Sequence, residues 1–181
     1  MDHDISLPAP TTFVPTVAEE LRRGGWLIVD LPGGLMLSVL RASGAPFRGE
    51  RFFRDFAPFV VETATLDTQV AYQPGLLAGS LNLRYEAAEL LVAEFGRGAP
   101  TGVRATIGTA ATYVQIIWAH ARTTGDFPLR GYYTWTADAG PDGHLVVGVF
   151  GRDRPIVVGP HPKSGAGIGV MPLLVPDDRP E

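Results

Sequence analysis

The residues best suited to chemistry lie in a glycine-rich segment near the end of the chain, residues 159–169. It contains Lys163, the only lysine of the 181 residues, beside Ser164, and its four glycines include Gly165 and Gly167. Glycines let backbone amides approach an anion closely, and a lysine adds a positive charge, which is how phosphate loops hold their ligands. This segment, the glycine loop, therefore indicates a site for an anion or a phosphate-bearing ligand.

The spacing of these residues matches neither of the common phosphate-binding motifs. A P-loop requires Gly-Lys followed by Ser or Thr, whereas Pro162 precedes Lys163 here. A dinucleotide site requires Gly-x-Gly-x-x-Gly at the start of a helix, whereas the last three glycines are spaced Gly-x-Gly-x-Gly before a run typical of a strand. The alternative interpretation is a surface loop that joins two strands.

Two histidines extend this candidate site. His161 lies within the glycine loop, and His144 follows an Asp-Gly turn at the tip of a predicted hairpin, so the two can meet at neighbouring strand ends. With Asp142 or Asp153 orienting one ring, the pair would suit proton transfer or a weak metal site. His120 lies in an apolar segment and is expected to be a hydrogen-bonded core side chain. The candidate ligand-binding residues are therefore Lys163, Ser164, His161, His144, Gly165 and Gly167.

The sequence carries no complete catalytic or metal-binding motif. It has no cysteine, and it lacks the His-Glu-x-x-His, Gly-x-Ser-x-Gly and calcium-loop patterns. We therefore assign no catalytic residue and no metal ligand, and we expect no cofactor. Whether the chain is an enzyme stays open at this stage.

A second unusual segment, residues 46–59, concentrates phenylalanine and arginine. It holds five of the nine phenylalanines, interleaved with arginines. As a short helix, Phe52, Phe53 and Phe56 would share one face. The pattern fits aromatic packing on a sheet with arginines in solvent, a protein-partner surface, or base stacking on single-stranded nucleic acid. The candidate partner-binding residues are Phe47, Arg48, Arg51, Phe52 and Arg54.

Composition narrows the choice of partners and of location. The net charge is −4, which repels nucleic acid and anionic membranes, so nucleic acid is not the expected partner. No apolar run approaches the roughly 18 residues of a membrane span, and no signal-peptide core follows the acidic start. We expect an intracellular, cytoplasmic protein without membrane association, whose partner is another protein or a second copy of itself.

In the first half of the chain, turn and capping residues delimit the predicted elements. Prolines at 8, 10 and 15 predict an extended N-terminal arm over residues 1–15. Thr16 to Glu19 matches a capping box and predicts a helix that ends at Arg23.

Strands are predicted over residues 26–31 and 35–40, joined by Pro-Gly-Gly into a hairpin with both faces covered. Residues 60–71 are expected to be extended.

In the second half, periodicity is the stronger guide. The pattern over residues 82–95 predicts a helix with Asn82 as N-cap and a core-facing stripe of Leu83, Ala87, Leu90 and Leu91.

The pattern over residues 103–107 predicts a strand. Residues 109–122 also alternate as a strand would, but their alanine content favours a helix. Residues 132–136 and 145–150 predict a hairpin, followed by strands over 155–158 and 168–175.

Together these elements predict an α+β domain over residues 16–175, followed by a short tail over 176–181. We expect a mostly antiparallel sheet built from two hairpin-rich halves, with two or three helices packed on it. The leading functional hypothesis is a non-enzymatic binding or assembly protein that contacts its partner through the arm and residues 46–59. The alternative is a small enzyme or an anion- or phosphate-binding domain with its site at the glycine loop.

Overall fold

The computed structural model describes residues 11–49, 63–79, 82–140, 143–150, 155–160 and 167–177. Within these ranges the chain forms the helices α1 (Pro15–Arg23), α2 (Leu37–Ala42), α3 (Tyr85–Arg97) and α4 (Ala110–Thr124). The strands are β1 (Leu27–Asp30), β2 (Phe47–Gly49), β3 (Gln69–Tyr72), β4 (Val103–Thr106), β5 (Tyr132–Gly140), β6 (Gly143–Val149), β7 (Ile156–Pro160), β8 (Gly167–Gly169) and β9 (Leu173–Pro176). None of the helices described is long and apolar enough to cross a membrane.

The strands form two mostly antiparallel sheets. One has the order β1-β3-β9-β4, and the other has the order β2-β7-β6-β5-β8. Only the pairings of β2 with β7 and of β5 with β8 are parallel among the described strands. The predicted α+β class is confirmed, as is the hairpin that β5 and β6 form.

Side-chain alternation gives the four-stranded sheet a different core on each face. In β3, Val70 and Tyr72 join the main core, which contains α4 and the five-stranded sheet, while Ala71 between them joins a smaller core. The same alternation recurs in β9, where Leu174 belongs to the smaller core. The buried members of that core are Phe13, Ala18, Leu21, Ala71, Val103 and Leu174. Helix α1 therefore covers one face of this sheet and α4 lies on the other.

Helix α4 is the most buried helix described, and it forms as the alanine content predicts. Seven of its residues are buried, and it packs against β5, β6, β7 and α2. The Thr109 hydroxyl accepts a hydrogen bond from the Thr112 amide at its start. Gly125 ends it with φ +78°, a conformation that glycine adopts without steric cost.

The chain crosses between the two sheets at Met171, which is fully buried. A buried backbone must satisfy its polar groups, and here two side chains do so. The Met171 amide donates to the Thr134 hydroxyl at 2.8 Å, and the Tyr113 hydroxyl donates to the Met171 carbonyl at 2.7 Å. The Tyr113 hydroxyl also accepts a bond from the Gly108 amide, and burial raises its pKa. The predicted strand over 168–175 is therefore two strands, β8 and β9, in different sheets.

The predicted hairpin over residues 26–40 is wrong in its second half. The return strand is replaced by α2, whose Leu37 and Leu40 are buried at i and i+3, the helical spacing that packs one face on the core. Strand β1 pairs with β3 instead, at the edge of its sheet. Leu27 of β1 is 43% exposed, so this strand is not covered on both faces.

Both predicted N-caps are also displaced. Helix α1 follows Val14 and begins at Pro15, so Thr16 lies inside the first turn and no side-chain cap forms. Proline suits that first position because its missing N–H would have no partner there. Helix α3 follows Arg84 rather than Asn82. Its buried residues are Ala88 and Val92, whereas Leu90, predicted to face the core, is 73% exposed.

Candidate functional site

The structure separates two of the residues predicted for the glycine-loop site. His144 lies at the start of β6, and Gly167 pairs with Tyr132 at the start of β5. Because β5 and β6 are antiparallel, these positions are at opposite ends of the sheet, about 15 Å apart along the strands. His161, Lys163, Ser164 and Gly165 lie outside the described residues.

His144 is enclosed by residues that the sequence did not connect with it. Its ring stacks on that of Tyr85 from α3, with 3.3 Å between the ring centroids and 8° between the planes. Its Nδ1 atom is buried and has no hydrogen-bond partner among the described residues. Asp142 and Asp153, the carboxylates predicted to orient this ring, are outside the described ranges.

The carboxylate that interacts with His144 belongs to Asp138, which occupies a bulge in β5. Trp135 pairs with Val146 and Ala139 with His144, so three residues of β5 lie opposite one residue of β6. The bulge directs the Asp138 carboxylate to the start of α4, where it accepts a hydrogen bond from the Ala110 amide. Burial raises the pKa of Asp138, against the lowering effects of this bond and of His144. This carboxylate therefore caps α4, which is a structural role.

Phe47, at the start of the Phe/Arg-rich segment, lies inside the fold. Phe47 is 4% exposed in the main core, and the Arg41 guanidinium lies 4.8 Å from its ring centroid. This placement matches the core-packing interpretation of that residue. Arg48 follows in β2, where its backbone pairs with Val157 of β7. Arg51, Phe52 and Arg54 lie outside the described residues.

Two cavities flank Trp26, and the first is a groove above the smaller core. It has a volume of about 510 Å³ and runs between the second half of α1 and the end of α3. Its floor includes Leu21 and Leu174, and Trp26 and Phe95 form half-buried walls. Glu20 and Glu94 are exposed and line the groove from the two helices. The remaining lining residues are Gly24, Gly98, Ala99 and Pro100. We call this cavity the α1–α3 groove.

The second cavity, of about 410 Å³, lies between α1, β1, β3 and the end of α4. Its apolar wall consists of Trp26, Leu27, Ile28, Val29 and Ala119. Its polar lining consists of Arg22, Tyr72, His120, Thr123 and Thr124. We call it the Tyr72–His120 pocket, after the side chains that meet in it.

A hydrogen bond joins the two side chains that give the Tyr72–His120 pocket its name. The Tyr72 hydroxyl lies 2.9 Å from His120 Nδ1. Burial raises the pKa of Tyr72, so its hydroxyl keeps its proton. The hydroxyl donates to Nδ1 in the imidazole tautomer that carries its proton on Nε2, and it accepts from Nδ1 in the other tautomer. His120 Nε2 has no hydrogen-bond partner among the described residues, and it is not among the fully buried atoms. His120 is hydrogen-bonded, as predicted, but it lines a cavity with one free ring nitrogen.

Sequence reasoning missed both cavities for one reason. Tyr72 and His120 are 48 residues apart, and Glu20 and Glu94 are 74 apart, so no local spacing relates them. The available signals were the alternation in β3, which sends Tyr72 towards α4, and the position of Trp26 directly before a strand. Each signal places a single residue on a surface without identifying what lies opposite.

The cavities have no metal-binding arrangement among the residues that the structure describes. In the ranges that the structure covers, no group of three or more His, Cys, Asp or Glu side chains is placed to hold a metal ion. Comparison with protein-family models, with curated proteins and with solved structures gave no match to this chain. Functional inference therefore depends on the geometry of the two cavities.

Proposed function

We propose that this protein is a non-enzymatic binding protein that self-associates, with the α1–α3 groove of one copy receiving residues 51–59 of a second copy. The observation that carries this is the groove itself, whose lining is apolar apart from Glu20 and Glu94. Its floor is continuous with the smaller core, which contains six buried residues in the described part of the chain: Phe13, Ala18, Leu21, Ala71, Val103 and Leu174. Covering this floor would remove further apolar surface from water.

The choice of occupant follows from composition and charge. Residues 51–59 contain four phenylalanines and two arginines against one aspartate, so they are apolar with a net positive charge. The groove offers the complementary combination of an apolar floor and two carboxylates. Burying each phenylalanine contributes roughly 1.5–3 kcal/mol, whereas each exposed ion pair contributes about 0–1 kcal/mol and mainly fixes orientation. We expect association in the micromolar range.

The N-terminal arm supplies a second contact surface in this proposal. Residues 1–10 lead into Thr11, whose carbonyl accepts a hydrogen bond from the Gln69 amide at 2.9 Å. Phe13 then inserts into the smaller core beneath α1. The arm therefore joins the fold at a fixed point beside β3. We retain the cytoplasm as the expected location, and the glycine-loop alternative stays a prediction because its central residues lie outside the described ranges.

A charge exchange between the two surfaces tests self-association directly. Glu20→Arg with Glu94→Arg gives the groove a positive charge, and Arg51→Glu with Arg54→Glu gives the segment a negative one. Each double variant should be monomeric by size-exclusion chromatography with light scattering at concentrations where the unmodified chain is a dimer. An equimolar mixture of the two variants should form a 1:1 complex, because opposite charges face each other again.

Glu19→Arg with Glu86→Arg is the matched control, since both residues are exposed on the same two helices and neither lines the groove. This variant should dimerise like the unmodified chain. A monomeric unmodified chain at high micromolar concentration would overturn the proposal, and so would a mixture of the two charge variants that stays monomeric. If the segment instead fills the groove of its own chain, the unmodified protein is a monomer and both double variants lower its unfolding midpoint.

A further inference from the structure

We propose that the Tyr72–His120 pocket is a binding site for a small organic carboxylate with an aromatic or branched apolar body. This site is separate from the α1–α3 groove, and it does not depend on self-association. Its volume of about 410 Å³ falls within the roughly 300–1,000 Å³ typical of small-molecule sites.

The polar lining selects an anion. Arg22 is exposed in the last turn of α1, and its guanidinium has no ion-pair or hydrogen-bond partner among the described residues. His120 contributes its Nε2 atom on the facing helix, and this atom carries an N–H in the tautomer whose Nδ1 accepts from Tyr72. No carboxylate is part of the pocket lining that the structure describes. A guanidinium and an imidazole N–H without a carboxylate are a donor set that a bound carboxylate would satisfy.

The two threonines contribute less to this choice. The Thr123 hydroxyl donates to the Ala119 carbonyl, and the Thr124 hydroxyl donates to the His120 carbonyl, at 3.0 and 2.9 Å. Their protons are therefore committed to the helix backbone. The free donors that converge on the pocket belong to Arg22 and His120, which matches one carboxylate better than a multiply charged phosphate.

The apolar wall defines the rest of the ligand. Trp26 presents a half-buried indole, and residues of the edge strand β1 continue the wall with Leu27, Ile28 and Val29. An aromatic or branched body would bury this wall as well as itself, whereas inorganic phosphate or acetate would leave it exposed. Affinity should therefore require both the carboxylate and the apolar body.

Phenylacetate is the first probe, because it combines one carboxylate with one aromatic ring. Its matched probes are phenylacetamide, which is neutral with nearly the same shape, and acetate and inorganic phosphate, which lack the ring. In a titration followed by two-dimensional amide NMR, phenylacetate should bind about tenfold or more tightly than each of the others. The largest shift changes should fall on the amides of Ala119, His120 and Thr123.

Arg22→Gln provides the residue-level test, because Arg22 is exposed and its loss should not affect folding. It should weaken phenylacetate binding about tenfold and leave phenylacetamide binding unchanged. Arg23→Gln is the matched control, since Arg23 is exposed on the same turn of α1 and does not line the pocket. Equal affinity for the acid and the amide, equal effects of the two substitutions, or shift changes confined to the α1–α3 groove would each overturn the proposal.

Discussion

The two cavities on either side of Trp26 share a wall and differ in charge. The α1–α3 groove adds two glutamates to an apolar floor, whereas the Tyr72–His120 pocket adds an arginine and a histidine to an apolar wall. The groove lies over the smaller core, and the pocket reaches through Tyr72 towards α4. The contrast shows that one tryptophan, directly before an edge strand, can line two cavities whose charged side chains have opposite signs.

The largest expected effect comes from removing the shared wall with Trp26→Ala. Both self-association and phenylacetate binding should weaken by more than about tenfold, because each cavity loses an aromatic surface. The free energy of unfolding should fall by about 2 kcal/mol, less than for a fully buried tryptophan. Urea denaturation, light scattering and the NMR titration measure the three quantities.

Trp118→Ala is the matched control for that change. Trp118 is also half-buried, with the Arg122 guanidinium 4.3 Å from its ring centroid, and it lines neither cavity. It should lose stability and keep both binding activities. If Trp26→Ala weakened only one of the two interactions, the hypothesis that Trp26 contributes to both cavities would be wrong.

A smaller effect that separates the cavities is expected from Tyr72→Phe. Losing the hydroxyl frees His120 Nδ1, which should lower the free energy of unfolding by about 1 kcal/mol and weaken phenylacetate binding about fivefold through a less fixed imidazole. Self-association should not change. Tyr132→Phe, at an exposed tyrosine outside both cavities, should change neither property.

The pH dependence of this substitution follows from the raised pKa of Tyr72. Its ordinary value is 10.0 and burial raises it in the folded chain, so the unfolded chain loses this proton first as the pH rises. The contribution of Tyr72 to stability is therefore complete below pH 10.0 and declines as the pH rises towards the folded-state pKa. The stability gap between the unmodified chain and Tyr72→Phe should narrow above that pH in urea denaturation. A gap that widened would contradict the assigned direction.

Salt should weaken both interactions modestly and unequally. Raising the NaCl concentration from about 50 to about 500 mM shortens the screening length several-fold. The proposed self-association would use two carboxylates per groove and should weaken about fivefold, whereas the proposed phenylacetate binding would use one guanidinium and should weaken about twofold. Light scattering and NMR titration at both salt concentrations measure the difference. The opposite ranking would contradict the assignment of charges to the two cavities.

The smallest effect is expected for Leu90→Ser. Leu90 is the most exposed large apolar side chain described, at 73%, and it lines neither cavity. Its replacement should change the free energy of unfolding by less than about 0.5 kcal/mol and leave both interactions intact. Loss of self-association in this variant would indicate that the dimer contact lies on the outer face of α3 rather than at the groove.

Local patterns predicted those parts of the fold in which neighbouring residues decide the structure. The β5–β6 hairpin follows from alternating strand formers around a turn, and α4 follows from alanine content with Thr109 and Gly125 at its ends. The error at residues 35–40 has a tertiary cause. An apolar run after Pro-Gly-Gly fits a return strand or a helix equally well, and the packing of Leu37 and Leu40 favours the helix.

The candidate sites were less predictable because they join distant segments. His144 was singled out from its place near a turn, but its neighbours Tyr85 and Asp138 come from a helix and a bulge with no spacing signature. Glu20 is exposed on α1, and no residue near it in the sequence indicates a cavity. Glu20 lines a groove because α3, which carries Glu94, lies opposite α1 in the fold.

The crossing at Met171 also has a consequence for how the chain is made. Strand β9 lies between β3 and β4, and β8 is the edge strand beside β5. Both sheets are therefore incomplete without residues 167–176. During synthesis neither sheet has all its described strands until residues 167–176 have been added, although β3 and β4 are made much earlier. A chain that lacks residues 167–176 therefore exposes open strand edges in both sheets, and such edges favour pairing with other chains.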